Sequence, residues 1–249
     1  MLRILCLHGY HGSAEVLRNQ LSPLRRKVDQ LGEFVCIDAP SIAAGDFGWW
    51  HAVENETTHY EGWERTRDWL LALFEGRESF DGVFGFSQGA ALAGLLVGLR
   101  LPVRFAVFAG GFLARDQSLQ TNYDKEAAAF ALPSLHMIGR TDVIVPPEES
   151  RRLSAKFVGP VVLEHEGGHV IPSTEVIAYR FDAFLRERAE EIRGATKPHD
   201  GSCEPPMSPP WSGPNKRAAS AAIERMPAPK ATASHVSRRS NVPTRSTST

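Results

Sequence analysis

The sequence predicts an α/β fold in which a mostly parallel central sheet carries helices on both faces. Two observations predict it, and a third narrows it. Short apolar runs alternate with stretches of helical periodicity through residues 1–193, the pattern of strands buried on both sides by crossover helices. The 249 residues are 42% hydrophobic and 23% charged, enough for one sizeable core. No internal repeat at a period of about 20 to 50 residues is present, which excludes solenoids and propellers.

The elements follow in order. Strands are predicted at 2–7, 34–37, 82–86, 105–109, 135–138 and 161–163. Between the first two, Val16, Leu17, Leu21, Leu24, Val28 and Leu31 recur at helical steps, with Pro23 expected to kink or restart the helix. Further apolar stripes predict helices at 60–74, 88–99, 148–157 and 173–193, the last ending in the solvated charge run Arg186-Glu187-Arg188-Ala189-Glu190-Glu191. The stretches 41–59 and 112–132 lack a clean period, apart from a short helix expected at 124–131. Irregular segments of that length in a compact domain are usually functional.

Composition changes near residue 194. The segment 194–249 holds nine of the 17 prolines and eight Lys or Arg against three Asp or Glu. It has too few aliphatic residues to offset chain entropy, so residues 1–193 are expected to form the domain and 194–249 a disordered tail.

A net charge of -1 supplies no global field for nucleic acid or an anionic membrane. No apolar stretch approaches the roughly 20 residues that span a bilayer, and the first apolar run reaches Gly9 before a signal-peptide core could form. A cytoplasmic location is the expectation, with a nuclear one as the alternative. Three cysteines cannot all pair; Cys6 and Cys36, inside apolar runs, read as buried thiols of a reducing compartment.

The sharpest local feature is Gly85-Phe86-Ser87-Gln88-Gly89, between a predicted strand and a predicted helix. A tight strand-to-helix turn crowds its neighbours, hence the flanking glycines, and it lifts the serine hydroxyl above the sheet. The alternative for Ser87 is a simple helix cap. A serine hydroxyl attacks at neutral pH only when an imidazole takes its proton and a carboxylate orients that imidazole. Asp142 follows the strand at 135–138, and His169 follows the strand at 161–163 after Gly167-Gly168. The order Ser, Asp, His is that of the α/β-hydrolase fold. His165 is the competing base, but it lies nearer its strand. Asp38 comes too early for the acid and is expected to bind loop amides. The remaining histidines show no metal-ligand spacing and no HExxH occurs, so neither a metal nor a cofactor is expected. The oxyanion is expected to be met by the backbone N–H groups of Gln88 and Tyr10.

Taken together, Leu5-Cys6-Leu7-His8-Gly9, Ile37-Asp38-Ala39-Pro40, Trp49-Trp50, Gly85-Phe86-Ser87-Gln88-Gly89-Ala90, Gly139-Arg140-Thr141-Asp142 with Val145-Pro146, and Glu166-Gly167-Gly168-His169 with Pro172 resemble the FSH-type serine hydrolases, a branch of the α/β-hydrolases. The resemblance covers roughly residues 1–190. It implies Ser87 as nucleophile, Asp142 as acid and His169 as base. One departure is Gly12-Ser13, where that family usually has Gln-Asn.

The expected activity is hydrolysis of small carboxylic esters through an acyl-enzyme. The alternative is a thioesterase releasing an acyl or polyketide chain from an acyl carrier protein in secondary metabolism. A non-catalytic binding protein on the same fold is disfavoured by the intact Ser, Asp and His, and nucleotide binding by the lack of a GxGxxG or GxxxxGK[ST] loop. Trp49, Trp50 and Phe112 are the expected substrate-binding residues, set against the alternative that the two tryptophans only pack their loop.

Overall fold

The computed structural model describes residues 1–28, 30–40, 48–75, 79–124 and 130–195. Of the expected tail at 194–249, residues from 196 onward lie outside the described residues. Six parallel strands form the main sheet: β1 (Leu2–Leu7), β2 (Gly32–Ile37), β5 (Gly82–Phe86), β6 (Phe105–Ala109), β7 (Ser134–Gly139) and β8 (Val161–His165), in the order β2-β1-β5-β6-β7-β8. The chain runs from β1 to one edge and then back across to β5. The strand ends of β1 and β5 therefore flank the point where the order reverses, the place where such sheets open a crevice.

Both faces of the sheet are buried. Leu5, Leu7, Val83 and Phe108 pack into one apolar cluster with α3 (Gln88–Gly98), while Ile4, Cys6, Phe84, Phe105, Val107, Leu135 and Met137 pack into the other with α1 (Ala14–Arg25) and α6 (Glu175–Ala195). This explains why the strands read as continuous apolar runs. Every residue of α3 is buried, so it carries no polar face. Helices α2 (Trp63–Glu75), α4 (Gln117–Asp124) and α5 (Pro147–Ser154) complete the layers.

The differences from expectation have local causes. Pro23 does not restart α1, which runs unbroken from Ala14 to Arg25; it falls in the last turn, so the one i→i−4 bond that its missing N–H removes lies at the end of the helix. Helix α4 ends at Asp124, where the short helix was expected to begin; residues 125–129 lie outside the described residues, and Phe130 instead bridges to Phe157. The irregular stretch 41–59 contains most of a two-stranded antiparallel hairpin, β3 (His51–Glu54) and β4 (Thr58–Glu61), so Tyr60 belongs to a strand rather than to the start of a helix. Cys36 is only half-buried, because β2 is an edge strand. No helix among the described residues is long and apolar enough to cross a membrane.

Candidate active site

Ser87 occupies the corner between β5 and α3 with φ 54 and ψ -119, a left-handed backbone that costs a serine roughly 1–3 kcal/mol. Its neighbours enforce this corner. A Cβ at position 85 would lie 2.3 Å from the Gly89 carbonyl oxygen, and one at position 89 would lie 2.2 Å from the Leu7 carbonyl oxygen. Both glycines are thus required by backbone packing, one within the turn and one against the end of β1. The Ser87 N–H donates to the Ala109 carbonyl at 2.9 Å, which ties the corner to the end of β6.

Asp142 lies on the loop after β7 and His169 on the loop after β8. His169 Nδ1 donates to Asp142 Oδ2 at 2.6 Å. The other carboxylate oxygen, Oδ1, accepts from the Ile144 and Val145 amides at 2.9 Å each, so the buried carboxylate is fully oriented. The two loops can approach because residue 139 is glycine: a Cβ there would lie 2.4 Å from the Gly168 carbonyl oxygen. The His169 ring packs on Phe86, centroids 5.0 Å apart, and against Gly110, where a Cβ would fall 3.1 Å from its Cε1. Gly110 also has φ +55, so glycine is needed there twice over. His169 and Ser87 are therefore both held against the Ala109-Gly110 turn, with the Asp142 carboxylate behind the imidazole.

Three other histidines are accounted for by their surroundings. His165 is buried, accepts the Gly167 N–H at 3.2 Å, and has its pKa lowered by burial. His136 lies between Phe108 and Phe157, and burial pushes its pKa down to about 3. His8, whose pKa is lowered by burial, accepts the Ala39 N–H on Nε2 and donates from Nδ1 to the Gly9 carbonyl at 2.7 Å. It is a neutral strut beneath the first loop. Asp38 accepts the Ala14 N–H at 2.7 Å, in line with its expected loop role, and Ser13, at the departure from the family pattern, caps α1 through the Val16 N–H. Among the described residues no group of three or more His, Cys, Asp or Glu side chains could hold a metal ion.

A cleft of about 300 Å³ opens over Ser87. Tyr10, Gln88, Trp50 and Phe112 line it, together with Ile144 and Val145 from the Asp142 loop. Trp49 does not: it is fully buried behind the wall, where its Nε1–H donates to the His8 carbonyl at 2.7 Å. Of the two tryptophans, packing accounts for Trp49, whereas Trp50 faces the cleft and stacks on Tyr60 with centroids 4.7 Å apart. The Gln88 N–H opens α3, so it has no acceptor within the helix. Tyr10 is bonded through Oη to His51 Nδ1 at 2.8 Å across the cleft mouth.

Sequence reasoning did not find the side-chain role of Gln88. Its Oε1 accepts the Trp49 N–H at 3.0 Å and its Nε2 donates to the Trp50 carbonyl at 2.9 Å, clamping the aromatic wall to the serine corner. A glutamine beside the serine was the available signal, but its partners lie 38 and 39 residues away. Likewise, Asp116 accepts the Tyr60 N–H at 2.9 Å and Thr66 Oγ1 donates to the Trp49 carbonyl at 2.5 Å, and neither bond has a local sequence signature.

Comparison with known proteins agrees with this architecture. The serine hydrolase (FSH1) family matches residues 1–180. The chain is 32% identical to the esterase CG5412 of Drosophila melanogaster over 213 residues, covering 76% of this chain and 75% of that protein. It is 31% identical to the human esterase OVCA2 over 223 residues, covering 76% and 97% of the two chains. Among solved structures, acyl-protein thioesterase 2 of Zea mays superposes with a TM-score of 0.54 at 19% identity, covering 74% of this chain and 94% of that one. With an α/β-hydrolase sheet, a serine at its tight strand-to-helix corner and a family match over most of the domain, the chain belongs to the FSH1 serine hydrolase family.

Proposed function

We propose that the cleft hydrolyses carboxylic esters of small acyl substrates, with Ser87 as nucleophile, His169 as general base and Asp142 as its orienting carboxylate. The observation that carries the proposal is the 2.6 Å bond from His169 Nδ1 to a buried carboxylate beside a serine held at positive φ. That bond fixes the tautomer, leaving Nε2 as the free base. Ser87 Oγ attacks the carbonyl carbon as Nε2 takes its proton. The Gln88 and Tyr10 N–H groups receive the oxyanion, and the helix α3 terminus adds a favourable dipole. Collapse passes the proton from Nε2 to the leaving alcohol. Water, deprotonated by His169, then releases the acid and restores Ser87.

The wall of Trp50 and Phe112 makes acyl length the expected axis of selectivity. The proposal is confined to small-molecule esters; neither the site nor the relatives supply an argument for an acyl carrier. Hydrolysis of a p-nitrophenyl ester ladder of increasing acyl length, by wild type and Ser87→Ala, tests it. The variant is expected to lose about 10⁴-fold or more in kcat with its fold intact, since alanine keeps the same backbone demand. A fluorophosphonate probe is expected to label wild type at Ser87 only. Equal turnover by the two proteins would refute the assignment, and thioesters of matched acyl length in the same assay separate the two leaving-group classes.

A further inference from the structure

Outside the cleft, two thiols of the described residues lie on neighbouring strands. Cys6 and Cys36 are direct partners in the parallel register of β1 and β2. Neighbouring strands lie roughly 4.8 Å apart, and a disulfide needs a Cα separation of roughly 4.4–6.8 Å. Both side chains enter the cluster beneath α1, where the Cys6 thiol donates to the Ile4 carbonyl at 3.5 Å.

The two sulfurs differ in a way that suits sequential oxidation. Cys36 is half-buried on the edge strand, where a small oxidant can arrive. The neighbouring Cys6 thiol lowers the Cys36 pKa, burial opposes it, and Arg18 and Arg25 of α1 reinforce the lowering. Cys6 is fully buried, and burial raises its pKa. Cys36 is placed to be oxidised first and Cys6 to resolve.

We propose that Cys6 and Cys36 form a reversible dithiol modification site that hydrogen peroxide closes to a disulfide. The Cys36 thiolate attacks one peroxide oxygen, breaking the O–O bond to give a sulfenic acid and, after protonation, the first water. The Cys6 sulfur then attacks the sulfenic sulfur, forming the S–S bond and expelling the hydroxyl as the second water. The two thiols give up two protons and two electrons, and the peroxide accepts both as it is reduced to two waters. The cross-link would fasten the edge strand to its neighbour just before Asp38 and Ala39, the residues that hold the first loop and α1.

The test uses the full-length chain treated with hydrogen peroxide, alkylated without reduction, digested and mapped by mass spectrometry. A linked peptide carrying Cys6 and Cys36, lighter by two hydrogens and abolished by dithiothreitol, is expected in most of the protein. In Cys36→Ser, a change at a half-exposed position, Cys6 should stay reduced. In Cys6→Ala, Cys36 should stop at a sulfenic acid that dimedone captures. Over-oxidation of Cys36 beside a free Cys6 thiol would overturn the proposal, as would pairing with Cys203 alone or both thiols surviving treatment. Because the readout is covalent mass, it stands apart from whether the cleft hydrolyses esters.

Discussion

The serine corner and the aromatic wall opposite it form two sides of one cleft, yet they are held by different forces. The corner is fixed by backbone sterics: Gly85 and Gly89 pack against main-chain atoms of the turn and of β1, and α3 is buried along its whole length. The wall is a hairpin of two four-residue strands that could not stand alone. It is fastened by single polar side chains: Gln88 to the backbone of Trp49 and Trp50, Thr66 to Trp49, and Asp116 to Tyr60. The corner is therefore built to be rigid and the wall to be adjustable. Gln88 joins them, its backbone in one and its side chain in the other.

That contrast places the largest stability effect at the corner. Gly89→Ala sets a methyl group 2.2 Å from the Leu7 carbonyl oxygen, with only backbone to give way. A loss of about 3 kcal/mol or more is expected in urea unfolding. A variant as stable as wild type would show that the corner is looser than its packing implies.

A smaller effect distinguishes the core beneath the corner from the wall by acid. His136, stacked on Phe108, has a folded pKa of about 3 against an ordinary 6.5. Between those values the unfolded chain binds a proton that the folded one does not, so stability falls as pH drops through that window. The expected loss is on the order of a few kcal/mol. His136→Phe should flatten the acid limb between pH 6.5 and 3 while leaving ester hydrolysis at neutral pH close to wild type. Unchanged acid sensitivity in that variant would assign it to other groups.

The smallest change in stability belongs to the hinge between the two sides. Gln88→Ala keeps the backbone N–H of the corner but frees the Trp49-Trp50 segment, at about 1–2 kcal/mol. Its signature is selectivity: KM for the best acyl length should rise several-fold, with discrimination along the ladder reduced. An effect on kcat alone would mean the clamp serves the oxyanion site instead of the wall.

Much of the fold was legible because burial on both faces writes a strand as an uninterrupted apolar run, as in the four inner strands; the partly buried edge strands β2 and β8 showed only shorter apolar runs. The β3–β4 hairpin was not, since His51, Glu54, Thr58, His59 and Glu61 leave no run to see, and its register depends on Asp116 and Gln88 from elsewhere in the chain. In the site, glycines around Ser87 and after His165 announced tight turns, which is why the corner and the loop bearing His169 could be located.

What the sequence by itself determined is the set of things encoded over a few residues: the order of the six sheet strands, the tight corner at Ser87 and the candidate acid and base. Tertiary structure alone decided which imidazole meets Asp142, that Trp50 lines the cleft while Trp49 braces the first loop, and that two cysteines thirty residues apart share a register. Local patterns record the burial and backbone demands of each segment. Side-chain pairing depends on distances between segments, and those exist only once the sheet has assembled.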